Sequence, residues 1–207
     1  MKLLAATRSV GKQREFRRVL EPAGFEVVFP DDVGIHPNRA EESLELGDSF
    51  ETNARRKAEH FARLSGLPTV ADDSGLEVLS LGGAPGVRSR RWAGATGTET
   101  EVDAANNAEL VRRLAGASGP RRGARYRCVL VYLATPGAVP VTVEGTCAGR
   151  ILEAPRGAGG FGYDPYFFSE ELGKTFGEAT PEEKDGVSHR GGALRALVET
   201  LAPAGSS

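Results

Sequence analysis

Residues 126–134, Tyr-Arg-Cys-Val-Leu-Val-Tyr-Leu-Ala, constrain the fold more than any other stretch. A strand with one wet face alternates apolar and polar residues. A strand that is apolar at nearly every position is covered on both faces. The chain must therefore supply layers for both sides of a sheet. Helical spacing offers them in Phe16, Val19 and Leu20, and in Phe50, Ala54, Ala58 and Phe61. Leu110, Val111 and Leu114 form a third set, and Leu194, Leu197, Val198 and Leu201 a fourth. Between them lie strand candidates at 3–6, 24–29, 69–71 and 139–143. The fold class is α/β, a mixed twisted sheet with flanking helices. The turn Pro136-Gly137 joins two strands too tightly for a parallel crossover, so part of the sheet is antiparallel. The 207 residues fit one domain, read as 1–201, followed by a disordered tail at 202–207. Expected helix starts are Asp48 with Glu51, Thr100, Thr180-Pro181-Glu182-Glu183, and Ser188.

Formal net charge is -2, so the overall balance favours neither a duplex nucleic acid nor an anionic membrane as partner. Arg88, Arg90 and Arg91 are a local basic cluster, read as a loop or a dimer surface. Cys128 and Cys147 lack CxxC spacing and clustered histidines. They read as buried thiols in a reducing compartment. The opening apolar run is too short for a secretory signal, and no segment is long enough to span a bilayer. A cytoplasmic location is the expectation.

Four features carry possible chemistry. Thr7-Arg8-Ser9-Val10-Gly11-Lys12 lies between the first strand and the first helix. Free N–H groups, the helix dipole and Lys12 suit a phosphate there. It is not a Walker A loop, because Ala6 stands where that pattern needs Gly and Gln13 where it needs Ser or Thr. Asp72-Asp73-Ser74-Gly75 follows a short strand, where α/β sheets keep ligand sites, and its carboxylates suit a hard cation. Glu41-Glu42 could supply another. Gly157-Ala158-Gly159-Gly160-Phe161-Gly162 matches a dinucleotide pattern, but Pro165 follows where a helix should open. It reads better as a loop whose Phe161 stacks on a base. Lys184 and Ser188-His189-Arg190 could grip a phosphate or read a base edge. His36 and His60 read as structural or surface residues. Each feature alone is more often a solvated face, a turn or a cap; together they are specific.

Together they resemble the noncanonical purine nucleoside triphosphate pyrophosphatase family (inosine triphosphate or dITP/XTP pyrophosphatases), from about residue 2 to 200. The matching stretches are Leu4-Ala5-Ala6-Thr7 with Gly11-Lys12 and Glu15, Ala71 to Leu76, Leu81 to Gly86, Gly159 to Pro165, and Glu183-Lys184 with Ser188 to Gly191. The resemblance implies two lobes around a central nucleotide cleft, a homodimer, Mg²⁺, and cleavage between the α- and β-phosphates. By motif, Thr7, Arg8, Ser9, Val10, Gly11 and Lys12 would bind the triphosphate. Asp73 would activate water and, with Glu42, hold the metal, and Ser74 would touch substrate. Phe161, Gly162, Tyr163 and Asp164 would enclose the base. Lys184, His189 and Arg190 would recognise the 6-oxo purine. Ser9 stands where the family usually carries Asn, and the link Leu44 to Asp48 looks longer than usual.

Other readings stay open at this level. One is a triphosphate hydrolase acting on other modified or pyrimidine nucleotides. Another is a module that holds a nucleotide without cleaving it. A nucleic-acid binder is the third, and the net charge weighs against it.

Overall fold

The computed structural model describes residues 1–202. The expected tail covers 202–207, and of these 203–207 lie outside the described residues. Strands β1 (Lys2–Ala5), β2 (Glu26–Val28), β3 (Thr69–Val78), β4 (Gly123–Leu133), β5 (Val141–Ile151), β6 (Phe167–Ser169) and β7 (Lys174–Thr175) form one sheet in the order β2-β1-β3-β4-β5-β6-β7. β1 pairs parallel with β2 and β3, whereas β6 pairs antiparallel with β5 and β7. The sheet is mixed, as the sequence requires. The α-helices are α1 (Val10–Leu20), α2 (Phe50–Ser65), α3 (Glu99–Arg113), α4 (Pro181–Val187) and α5 (His189–Leu201). Among the described residues, no helix is long and apolar enough to cross a membrane.

The chain divides into two compact units. One holds 1–73, 128–145 and the chain from Arg190; the other holds 74–127 and 146–189. In the first unit, strand alternation explains the layering. Leu3, Ala5 and Val70 face one side, with Phe16 and Leu20 of α1 and Leu194 and Leu197 of α5. Leu4, Ala6 and Ala71 face the other, with Ala54, Ala58 and Phe61 of α2. The second unit has its own core of Leu76, Val78, Leu110, Leu114, Tyr126, Ile151, Tyr163, Phe167 and Phe176. Three of its aromatic rings meet there: Tyr126 lies 4.7 Å from Phe167, and Phe167 lies 5.0 Å from Phe176.

Several boundaries move. β3 runs straight through Asp72-Asp73-Ser74-Gly75 instead of ending before it. The sheet tolerates two acids in mid-strand because each meets cations or amides, as described below. α2 is capped by Ser49, whose side chain accepts from the Thr52 N–H, and not by Asp48. α3 is capped by Thr98 and not Thr100, because Glu101 sits three residues on and closes the reciprocal capping box. The Thr180 start holds, with Pro181 in the first turn and Glu183 completing the box. Ser188 ends α4, its N–H bonding to the Lys184 carbonyl, so α5 begins one residue later. Arg90 of the basic cluster pairs within the chain, with Asp103 at 3.3 Å and Glu99 at 3.9 Å.

Candidate active site

The first unit gathers the phosphate-loop and acidic residues. β1 delivers Thr7 and Ser9 to the start of α1. Thr7 Oγ1 accepts the Ser9 N–H at 3.3 Å, and the Thr7 carbonyl accepts from Gln13 Nε2 at 3.2 Å. Ser9 is the N-cap residue, in extended conformation, with no side-chain cap bond. The first intrahelical bond there runs from the Gln13 N–H to the Ser9 carbonyl, so the N–H groups of Val10, Gly11 and Lys12 precede the helical ladder. Such groups favour an anion. Lys12, in the same turn, places Nζ 3.0 Å from Asp72 Oδ2 and 3.2 Å from Oδ1.

Arg8 is drawn elsewhere. Its guanidinium donates to both oxygens of Glu41 at 2.7 and 2.9 Å, to Asp31 at 2.7 Å and to the Ile35 carbonyl at 2.9 Å. It ties the loop to residues 31–41.

Asp72 is 1% exposed. Burial alone would raise its carboxyl. The charges of Lys12, Arg190 and Lys57 outweigh that and hold it far below the usual carboxylate range. Arg190, 2% exposed, donates from Nε and Nη2 to Asp72 Oδ2 at 3.1 Å and from Nη1 to Glu15. The guanidinium thus lies between two buried carboxylates of the first unit and balances their charge.

Asp73 differs. As the next residue in a strand, it points to the α2 side. Its Oδ2 accepts from Asn53 Nδ2 at 2.8 Å, and its Oδ1 lies 3.8 Å from Lys57 Nζ. Burial raises its carboxyl; Lys57 and Lys12 oppose this without cancelling it. Lys57 Nζ also donates to Glu45 Oε1 at 2.8 Å. The Lys57 charge, against burial, lowers the Glu45 carboxyl to about 2. Burial would discharge Lys57, but Glu45, Asp73 and Asp72 reverse that and raise it.

Glu42 is exposed at the surface of a short 3-10 turn, residues 39–43, and makes none of these contacts. The acid that reaches the Lys57–Asp73 group is Glu45, two residues past that turn. Gly47 secures this link: its N–H donates to Asn53 Oδ1 at 2.8 Å, and a Cβ there would lie 2.6 Å from the same oxygen. Sequence reading missed Glu45, Asn53 and Lys57. The usable signal was two polar residues four apart among Ala54, Ala58 and Phe61, on a face that should be apolar. No group of three or more metal-binding side chains converges among the described residues.

The second unit gathers the loop and the basic end of α4. The Phe161 N–H donates to Asp164 Oδ2 at 2.8 Å, and Lys184 Nζ donates to the same oxygen at 2.6 Å. Lys184 Nζ also lies over the Phe161 ring, 4.5 Å from its centre, a cation–π arrangement. Asp164 is buried and therefore braces the loop and Lys184. Gly160 (φ 74°) permits this, since a Cβ there would sit 2.1 Å from Asp164 Oδ2. Tyr163 is buried, its hydroxyl donating to the Ser89 carbonyl at 2.8 Å. Of the expected base-side residues, Phe161 and Gly162 keep partly exposed faces, as does Ser74 in β3. His189 stacks on Tyr126, ring centres 4.6 Å apart and planes 7° from parallel, a pairing not foreseen. Both cysteines are free and buried, and burial raises each thiol.

Known proteins match this arrangement over almost its whole length. The dITP/XTP pyrophosphatase of Ralstonia nicotianae is 47% identical over 201 residues, covering 97% of this chain and 96% of the relative. That of Anaeromyxobacter sp. is 41% identical, with 100% of both chains covered. Among solved structures, a HAM1 protein from Coxiella burnetii has a TM-score of 0.84 at 33% identity, over 99% of this chain and 100% of that one. A nucleoside-triphosphatase (dITP/XTP pyrophosphatase) from Mycobacterium abscessus has a TM-score of 0.72 at 44% identity, over 98% and 100%. The family model that matches spans residues 3–200, and by that match and these relatives the chain belongs to the Ham1 family.

Proposed function

We propose that this chain hydrolyses noncanonical purine nucleoside triphosphates, such as ITP, dITP and XTP, to the nucleoside monophosphate and pyrophosphate. The observation that carries the reading is the division of labour between adjacent acids. Asp72 is pinned in its charged form by Lys12 and Arg190, while burial raises Asp73 beside a single amide donor and a more distant ammonium. Neighbouring carboxyls pushed apart in this way mark a base and a charge-balancing partner. The names of the relatives support the substrate class.

In this reading the N–H groups of Val10 to Lys12 and the Lys12 ammonium take the phosphates, with Thr7 and Ser9 beside them. Asp73 accepts the proton of the attacking water. Water oxygen bonds to phosphorus, the α–β anhydride bond opens, and pyrophosphate departs with the electron pair of that bond. Glu45 and Asp73 would hold a magnesium ion. Two carboxylates sharing one ammonium are the hard oxygen donors this ion takes when substrate oxygens and water fill its other positions. When bound, it supplies charge neutralisation of the phosphates. Glu45→Gln is expected to move the midpoint of a magnesium titration up at least about tenfold, with Glu42→Gln leaving it in place. The reverse pattern would return the metal to Glu42.

On the base side, Phe161, held under the Lys184 ammonium, is the ring on which a purine would stack. Lys184 and His189 are the donors for a 6-oxo group. A site that donates to O6 leaves a donor unpaired against adenine's amino group and so rejects it. On the resemblance alone, the working form is a homodimer in the cytoplasm, with a nucleotide and no nucleic acid as its partner.

The test is a product assay with magnesium on ITP, XTP, dATP, dGTP and dTTP that scores pyrophosphate apart from orthophosphate. Pyrophosphate from ITP and XTP, with little from the other three, is expected. Orthophosphate, or equal turnover of all five, would overturn the substrate class.

A further inference from the structure

Gly160 and Gly162 both adopt left-handed backbone, with φ 74° and 63°. They flank Phe161, so the loop around it has no helix or strand ladder of its own to set its height. Side chains do that instead. Asp164 takes the Phe161 N–H, as described. The next peptide is taken by α3. Asp103 Oδ2 accepts the Gly162 N–H at 2.7 Å, and Asn107 Nδ2 donates to the Gly162 carbonyl at 2.9 Å. Asp103 and Asn107 are four residues apart, so they lie on one face of α3, one turn from each other. One supplies an acceptor and the other a donor, matched to the two polar ends of a single residue.

The same turn of α3 holds a second loop. Asn106 Oδ1 accepts the Ala93 N–H at 2.9 Å, and Asn106 Nδ2 donates to the Arg90 carbonyl at 3.0 Å. Arg90 returns its side chain to Asp103 at 3.3 Å. Tyr163, the residue after Gly162, donates to the Ser89 carbonyl. The segments 89–93 and 161–163 are thus tied to each other and to one helical turn. This helix carries no residue that the proposed chemistry uses.

We propose that Asp103 and Asn107 are positioning residues for substrate selection: they clamp Gly162 from both ends and so set where the Phe161 ring meets a purine. The proposal rests on the reading that Phe161 stacks on the base. The clamp itself is a matter of backbone bonding and can be judged without it.

The experiment compares wild type, Asp103→Ala, Asn107→Ala and the conservative Asp103→Asn. Steady-state kinetics on ITP and XTP are read beside hydrogen exchange of the Gly162 amide in glycine-labelled protein. The alanine variants are expected to raise KM about tenfold with kcat within about twofold, since one hydrogen bond to a substrate-bearing loop is lost and no reacting group is touched. Asp103→Asn keeps an acceptor for the N–H and stays near wild type. Gly162 exchange speeds up in Asp103→Ala and not in Asp103→Asn. Unchanged KM in both alanine variants, or a fall in kcat alone, would overturn the role in selection. If wild type leaves ITP and XTP intact, the substrate reading fails first, and amide exchange decides the clamp. Equal Gly162 exchange in wild type and Asp103→Ala would then overturn it. Should Asp103→Ala not fold, Asn107→Ala carries the kinetic arm and Asn107→Asp, which sets an acceptor against the Gly162 carbonyl, carries the exchange arm.

Discussion

Replacing Asp73 by Asn is expected to leave a folded protein whose turnover of ITP falls by roughly two to four orders of magnitude, the range for loss of a general base. The fold should survive because Asn keeps an oxygen for the Asn53 amide, the shortest of the described Asp73 contacts at 2.8 Å. The Lys57 contact, at 3.8 Å, loses its charge partner, but Lys57 retains Glu45. Melting temperature and circular dichroism check the fold, and a pyrophosphate assay checks the rate. Near-wild-type turnover would remove Asp73 from the reaction and leave the acidic pair with a structural role only.

The second large effect is on stability. Arg190→Met would leave Glu15 and Asp72, both nearly fully buried, without their shared guanidinium. Asp72 keeps Lys12, and a loss of about 3–5 kcal/mol is typical when one member of a buried pair is removed. Denaturant unfolding measures it. The double variant Glu15→Gln with Arg190→Met also removes one of the two carboxylate charges that Arg190 faces. It should be more stable than Arg190→Met alone, a strong departure from additivity. Additive costs would mean that Glu15 and Arg190 act independently, against the geometry.

How much of this was legible in the chain varies with the kind of signal. The apolar run at 126–134 and the helical periodicities gave the layers, because burial is written locally in spacing. The Thr180 start was legible for the same reason, since its partners lie within one turn. Thr98 was misread as Thr100 although the decisive Glu101 was in view. The acids were harder. Asp72 meets Arg190, 118 positions away, and Arg190 meets Glu15, 175 positions away. No local pattern encodes such pairings, so the acids that Arg190 meets could not be read from its neighbours in sequence. Glu45 was passed over because the path of the Leu44 to Asp48 link depends on the bond between Gly47 and Asn53, which the sequence does not display. Of the site, the residue types and their segments were readable. The assignment of a charge to its partner was not, because that is a property of the packed sheet.

The straight passage of β3 through its two acids has one more consequence. In an extended chain, successive side chains alternate sides, so the fates of Asp72 and Asp73 depend on odd and even count from the start of the strand. Val70 shares its side with α1 and α5, and Ala71 shares its side with α2. A single residue inserted within Thr69–Ala71 would exchange the two acids, placing Asp73 among the cations that now hold Asp72 and Asp72 beside the Asn53 amide. Two residues would restore the order. Two neighbouring aspartates, identical in chemistry, are told apart by arithmetic modulo two.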